Sequence, residues 1–160
     1  MSHHRAAVEW NLGDGDFARR RYSRVHKIHF DGGLTVEGSA SPRIVPAPFS
    51  RADAVDPEAA FVASLSACHM LWFLDHAARA GVIVTAYRDE AEGLLAANAA
   101  GRMAMTRVVL RPAASFAGAG QPTRAELERL HLLARESCFI ANSVITEVAI
   151  EVAESAAPST

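Results

Sequence analysis

Residues 56–81 read DPEAAFVASLSACHMLWFLDHAARAG. The stretch carries its own start, stop and filling. Asp56 is an N-cap residue, and Pro57 follows at the first helical position, where a missing N–H costs nothing. Gly81 is a C-terminal stop. Between them, Ala59 to Phe73 is almost wholly apolar, with Ser64, Ser66, Cys68 and His69 as the small or polar exceptions. A helix that is apolar on nearly every face needs protein on every side. The spacing therefore predicts a central helix, buried in a domain core or at a subunit interface, with a Cys-His pair at its middle.

Outward from this helix, the chain alternates strand patterns and turns. Ala7 to Leu12 reads as a short strand. Tyr22 to Phe30 alternates and leads through Asp31-Gly32-Gly33, a hairpin turn, to a returning strand over Leu34 to Gly38. Ser39 to Asp56 holds three prolines and little periodicity, so it is a long connection. After the helix, Val82 to Ala96 reads as one strand and Met103 to Leu110 as another, both half-buried and antiparallel. Pro112 to Gln121 reads as a loose segment. Thr123 and Glu126 make a capping box that opens an amphipathic helix to about Ser137. Phe139 to Val144 suits a short helical turn, Thr146 to Val152 a last strand, and Glu154 to Thr160 a frayed end. This order predicts an α+β domain.

Bulk composition narrows the function. The chain has 160 residues, enough for one domain with a sizeable core, read as residues 1–160 with the core from about 7 to 153. Half the residues are apolar and the formal net charge is -2, which suits a soluble globular protein and argues against a nucleic-acid surface. Arg5 is followed by no apolar run of the signal-peptide kind. His69, Asp75 and His76 interrupt the central apolar helix, which argues against a membrane span. A cytoplasmic location is expected. There is no GxGxxG or Walker pattern and hence no call for a nucleotide; no cofactor is expected.

The residues able to do chemistry centre on two cysteines, Cys68 and Cys138. In a reducing compartment they are either buried inert thiols or reactive ones. Thiol chemistry needs a stabilised thiolate, which a guanidinium can supply, itself held by a carboxylate. Arg51, Arg43, Arg24 and Glu58 are the candidates. His69 is the next residue on the helix and points about 100° away from Cys68, so adjacency alone makes no dyad; a core or subunit-contact histidine is the expected role. Glu58 sits in the first turn, where its charge also suits the helix dipole. Ten residues place it about 15 Å from Cys68 along the axis. It reaches a Cys68 site only if the helix start bends or a second subunit delivers it. Cys68, His69, His76 and Cys138 are zinc-ligand types, but neither CxxC nor HExxH spacing accompanies them, and no metal is expected.

At these residues the chain resembles the OsmC/Ohr family, the osmotically inducible and organic hydroperoxide resistance proteins, in a divergent OsmC-like branch. The first motif is Asp56-Pro57-Glu58 followed ten residues later by Ala67-Cys68. The second is Cys138-Phe139-Ile140-Ala141-Asn142-Ser143-Val144 leading to Glu147-Val148, similar to the family's C-P-x-S-x-x-(L/V) segment with Phe139 where proline is common. The Asp31-Gly32-Gly33 hairpin and Ser39-Ala40-Ser41-Pro42 add to the likeness, which runs from about Tyr22 to Val152.

The resemblance implies an intertwined homodimer in which antiparallel strands wrap long central helices. It implies a thiol-dependent peroxidase that reduces organic hydroperoxides, with Cys68 peroxidatic and Cys138 resolving. An external dithiol or a lipoylated protein would be the reductant. By position Glu58 matches the carboxylate that pairs with the catalytic arginine. That arginine falls at Arg51 in one part of the family and at Arg24 in another, with Arg43 third. The other readings are an OsmC-like protein that binds an apolar small molecule without catalysis, and a thiol-based redox sensor.

Overall fold

The computed structural model describes residues 1–118 and 121–152. Glu154 to Thr160, expected to fray, lie outside them. The chain forms two compact units, residues 1–60 and 61–160.

In the first unit, β1 (Ala6–Glu9), β2 (His26–Phe30) and β3 (Thr35–Gly38) form an antiparallel sheet in the order β1-β2-β3. Val8, Ile28 and Val36 stand across from one another on its strands. The β2–β3 turn is the one read from Asp31-Gly32-Gly33: Gly33 sits at φ 81°, which a side chain would resist, and its N–H reaches the Phe30 carbonyl. β2 is shorter than its alternation suggested. Tyr22 to Val25 lie outside it, because Tyr22 joins an aromatic cluster with Trp10 and Phe17 and the Arg24 N–H bonds to Phe49. Residues 39–56 form a connection without a strand.

The central helix, α1 (Pro57–Arg79), begins in the first unit and runs through the second. Its cap is as expected: an Asp56 carboxylate oxygen accepts the Ala59 N–H at 2.7 Å. Gly81, at φ 74°, lies just past its end.

In the second unit, β4 (Ile83–Asp89) pairs with β7 (Pro112–Ala117). A separate sheet has the order β5 (Glu92–Ala97), β6 (Met103–Leu110), β8 (Glu147–Ile150). The strand read over Val82 to Ala96 is thus two strands in two sheets. The chain breaks at Glu90-Ala91, just past Asp89, which ends the β4 ladder opposite Pro112 and whose carboxylate accepts the Arg111 N–H and the Ser66 hydroxyl. The segment from Pro112, read as loose, is strand β7. Its Ala-Ala-Ser run has no alternation to signal a strand, and Pro112 is tolerated as the first residue. β8 runs parallel to β6, while β5 and β6 are antiparallel.

α2 (Arg124–Ser137) opens with the capping box: the Thr123 hydroxyl accepts the Glu126 N–H, and the Glu126 carboxylate accepts the Thr123 N–H at 2.8 Å. A 3-10 turn, Ala141–Ser143, follows it.

Helix α1 supplies both cores of the second unit. Phe73 and Ala77 pack with Ala114 of β7 and with Leu130 and Ala134 of α2. Leu65 packs with Val108, Leu110 and Val148 of the three-stranded sheet. By length and mean hydropathy α1 would pass for a membrane span, but here it is a core helix. It lies so close to β5 that a Cβ on Gly93 would come within 2.5 Å of the Val62 side chain and 2.3 Å of Met105. The opposite side of α1 is less covered: Ala63, Ala67 and Leu71, four residues apart, are exposed.

His69 is a core histidine, as expected, and its partner is His131 of α2. The rings lie nearly parallel, Nε2 of His69 stands 3.0 Å from Nδ1 of His131, and Phe73 stacks on His131. One hydrogen occupies that gap when both rings are neutral. Burial first, and then for His131 the neighbouring His69 and Arg124, hold them neutral, pushing His69 down to about 4 and His131 to about 3.

Two predictions follow from this packing. Unfolding lets each ring take a proton at its ordinary value of 6.5. Their contribution to stability is therefore full above that pH and is lost as pH falls towards the folded-state values. Denaturant midpoints measured at pH 7 and 5 should show a loss of roughly 1–2 kcal/mol per ring, and a His69→Leu/His131→Leu double variant should lose that slope. Gly93→Val should cost about 1–3 kcal/mol by forcing α1 and β5 apart, read as a lower denaturant midpoint.

Candidate active site

Cys68 lies at the middle of α1 and is half-buried; Cys138 caps the C-terminus of α2 and is buried. The fold brings them near each other: the Cys68 side chain is close enough to raise the pKa of the Cys138 thiol, and both are free thiols.

Local backbone chemistry fixes Cys138. Its N–H reaches the Arg135 carbonyl, which ends α2, and its own carbonyl accepts the Asn142 N–H, which starts the next turn. Its Sγ accepts the Ala141 N–H at 3.3 Å. Burial above all, then the neighbouring Cys68 side chain, pushes the Cys138 thiol up to about 11, against the opposing pull of the Ala141 and Ile140 N–H groups. At neutral pH Cys138 therefore keeps its proton.

The stripe of α1 that carries Cys68 also holds the end of α2. Cys68, Trp72 and His76 recur every four residues, so they share one face. Phe139 meets the Trp72 ring edge-on at 5.4 Å, Trp72 stacks on His76, and His76 Nε2 lies 3.0 Å from the Ser137 hydroxyl. Residues on both sides of Cys138 are thus tied to α1. Trp72, His76 and Ser137 were not singled out as positioning residues from the sequence, where Trp72 reads as an apolar neighbour and His76 as a ligand type. The signal was the four-residue recurrence from Cys68. Phe139 is 69% exposed, so the rim of the site presents an open aromatic face.

The remaining expected site residues lie in the first unit. Glu58 sits in the first turn of α1, and one of its carboxylate oxygens is buried without a hydrogen bond. Arg51 is engaged on two sides: it grips the Asp53 carboxylate through Nε and Nη2 at 2.8 and 2.7 Å, and Nη1 reaches Glu37 at 3.0 Å. Arg24 lies 3.9 Å over the Tyr22 ring and donates to the carbonyls of Tyr22 and Arg20. Arg43 is exposed. Among the described residues, no group of three or more His, Cys, Asp and Glu side chains is arranged to hold a metal ion.

The family model for OsmC-like proteins matches residues 50–153. In structure the chain is similar to an OsmC-like protein of unknown function from Vibrio cholerae O1 biovar eltor strain N16961, with 50% identity over 96% of this chain and 100% of that one and a TM-score of 0.94. It shares its fold with an organic hydroperoxide resistance protein OsmC from Legionella pneumophila, at 19% identity over 98% of each chain and a TM-score of 0.68. The same holds for the organic hydroperoxide resistance protein OhrB of Bacillus subtilis, at 16% identity over 96% of this chain and 98% of that one, with a TM-score of 0.66. No curated protein sequence matches the chain. With its α+β fold and its paired thiols, the chain belongs to the OsmC family.

Proposed function

We propose that the protein is a thiol-dependent peroxidase that reduces organic hydroperoxides. The observation that carries this reading is the nearness of the Cys138 thiol, at the end of α2, to Cys68 of α1, close enough for Cys68 to raise the Cys138 pKa. The names of the Legionella and Bacillus proteins support it at the level of the fold.

The chemistry runs in three steps. The Cys68 thiolate attacks the distal oxygen of ROOH; the O–O bond breaks, the alkoxide takes a proton and leaves as ROH, and Cys68 becomes a sulfenic acid. The Cys138 thiol then displaces the hydroxyl from the Cys68 sulfur, giving water and a disulfide. An external dithiol, free or carried as a lipoyl group, exchanges with that disulfide, restores both thiols and is itself oxidised. The protein's part is to hold the second sulfur adjacent; as it attacks Cys68 its proton leaves with the hydroxyl as water, so that the sulfenic acid is captured before further oxidation. The Trp72 and Phe139 rings offer an apolar wall that favours an alkyl tail over hydrogen peroxide.

A homodimer belongs to the same reading. The exposed Ala63, Ala67 and Leu71 row gives α1 a face for a second copy, and the unbonded Glu58 oxygen leaves a carboxylate for a guanidinium. Arg51, Arg24 and Arg43 are the candidates to meet it there. Arg51 would first have to release Asp53 and Glu37. Two free thiols suit a reducing compartment, the cytoplasm.

Purified protein given cumene hydroperoxide and dihydrolipoamide should turn over. Cys68→Ser should abolish the rate. Cys138→Ser should retain a first turnover, stop at the sulfenic acid and over-oxidise. Stoichiometric oxidation without turnover would favour a redox sensor instead. His76→Ala, which removes the tie to Ser137, should leave the first oxidation of Cys68 in place and slow disulfide closure by roughly tenfold or more, since misplacement by about an ångström is that costly; stopped-flow Trp and sulfenate-trapping signals separate the two steps.

A further inference from the structure

A second polar concavity lies between α2 and β8, within the second unit. It measures about 530 Å³, within the range usual for small-molecule sites. Arg124, His131 and Arg135 of α2 line it along one side, and Val148 and Ile150 of β8, two apart and on one face of the strand, line the other. Leu132 adds to the apolar surface.

Two features there lack a counterpart. His131 is 2% exposed, and with Nδ1 turned to His69 its Nε2 is left on the far side of the ring, buried without a hydrogen bond. If His69 gives its Nε2 hydrogen to His131, the neutral His131 must carry its own hydrogen on Nε2. The second feature is charge. Of the ionic groups lining the cleft, Glu128 is paired with Arg124 and Glu151 with Arg111. Arg135 gives its Nε–H to the Val148 carbonyl and, among the described residues, has no carboxylate partner. The cleft therefore combines one guanidinium without a carboxylate partner among the described residues, one buried ring nitrogen without a hydrogen bond, and an aliphatic side.

We propose that this cleft binds an aliphatic monocarboxylate. The Arg135 guanidinium and the His131 Nε2–H hold the carboxylate, and the chain lies along Leu132 and Ile150. A carboxylate supplies the missing acceptor and the missing negative charge together; a neutral ligand supplies neither. This site is separate in its residues from the thiol pair and does not depend on the peroxidase reading.

The test is calorimetric titration of the full chain with octanoate, together with the side-chain nitrogen shifts of His131 by NMR. Saturable binding is expected, with the His131 Nε2 signal shifting and remaining that of a protonated nitrogen. Octanol and acetate should each bind roughly tenfold more weakly or worse, the first lacking charge and the second lacking the chain. Arg135→Gln should weaken octanoate by about the same factor and Arg135→Lys should recover most of it. Cys68→Ser should bind octanoate as the unaltered protein does, so failure here and failure of the peroxidase reading are separable. No octanoate binding, as when a second copy covers the cleft, would overturn the proposal. So would binding that leaves the His131 nitrogens unmoved, that tolerates Arg135→Gln, or that Cys68→Ser abolishes.

Discussion

The contact between a half-buried sulfur on α1 and a buried one at the end of α2 is the constraint on which the rest of the site depends. Neither thiol is special by its residue type. What makes the pair chemical is the difference in their surroundings. Cys138 is held dry, by the end of one helix and the start of a turn, so its proton stays on. Cys68 is the more exposed of the two. A second sulfur held next to a more exposed one is the arrangement needed to trap an oxidised form of the first.

The fold achieves this by making α1 do several jobs with different faces. One side supplies Leu65, Phe73 and Ala77 to the cores. His69 reaches α2 through His131, in a neutral pair that is affordable only while both rings stay dry. The Cys68, Trp72 and His76 stripe grips the segment around Cys138. A further row, Ala63, Ala67 and Leu71, is left open. The helix that looked apolar all round is thus partitioned, and its small residues mark the side that this chain alone does not cover.

Much of this was legible in the residues. Asp56-Pro57 and Gly81 bound α1 because caps are local chemistry, and Thr123 with Glu126 bound α2 for the same reason. The two Cys motifs pointed to the pair. What escaped had no local signature. β7 is built from small residues that form a strand only because β4 lies alongside. The break at Glu90-Ala91 is set by where Asp89 finds its partners, far along the chain. His131 reads as one polar position of an amphipathic helix, and only tertiary packing turns it inward onto His69. The arginines were ambiguous in sequence, and within the first unit Arg51 and Arg24 are each occupied by near neighbours. Ion pairs of long side chains are not encoded by spacing alone.

The claim at the centre of this account is that Cys68 and Cys138 of one chain close into a bond when a hydroperoxide is reduced. Peptide mapping by mass spectrometry after one equivalent of cumene hydroperoxide, without reductant, tests it most directly. The account predicts a single crosslinked peptide pair joining Cys68 to Cys138 within one chain, formed in proportion to the peroxide added. Accumulation of Cys68 sulfinic acid with Cys138 still a free thiol, or a crosslink only between chains, would contradict it.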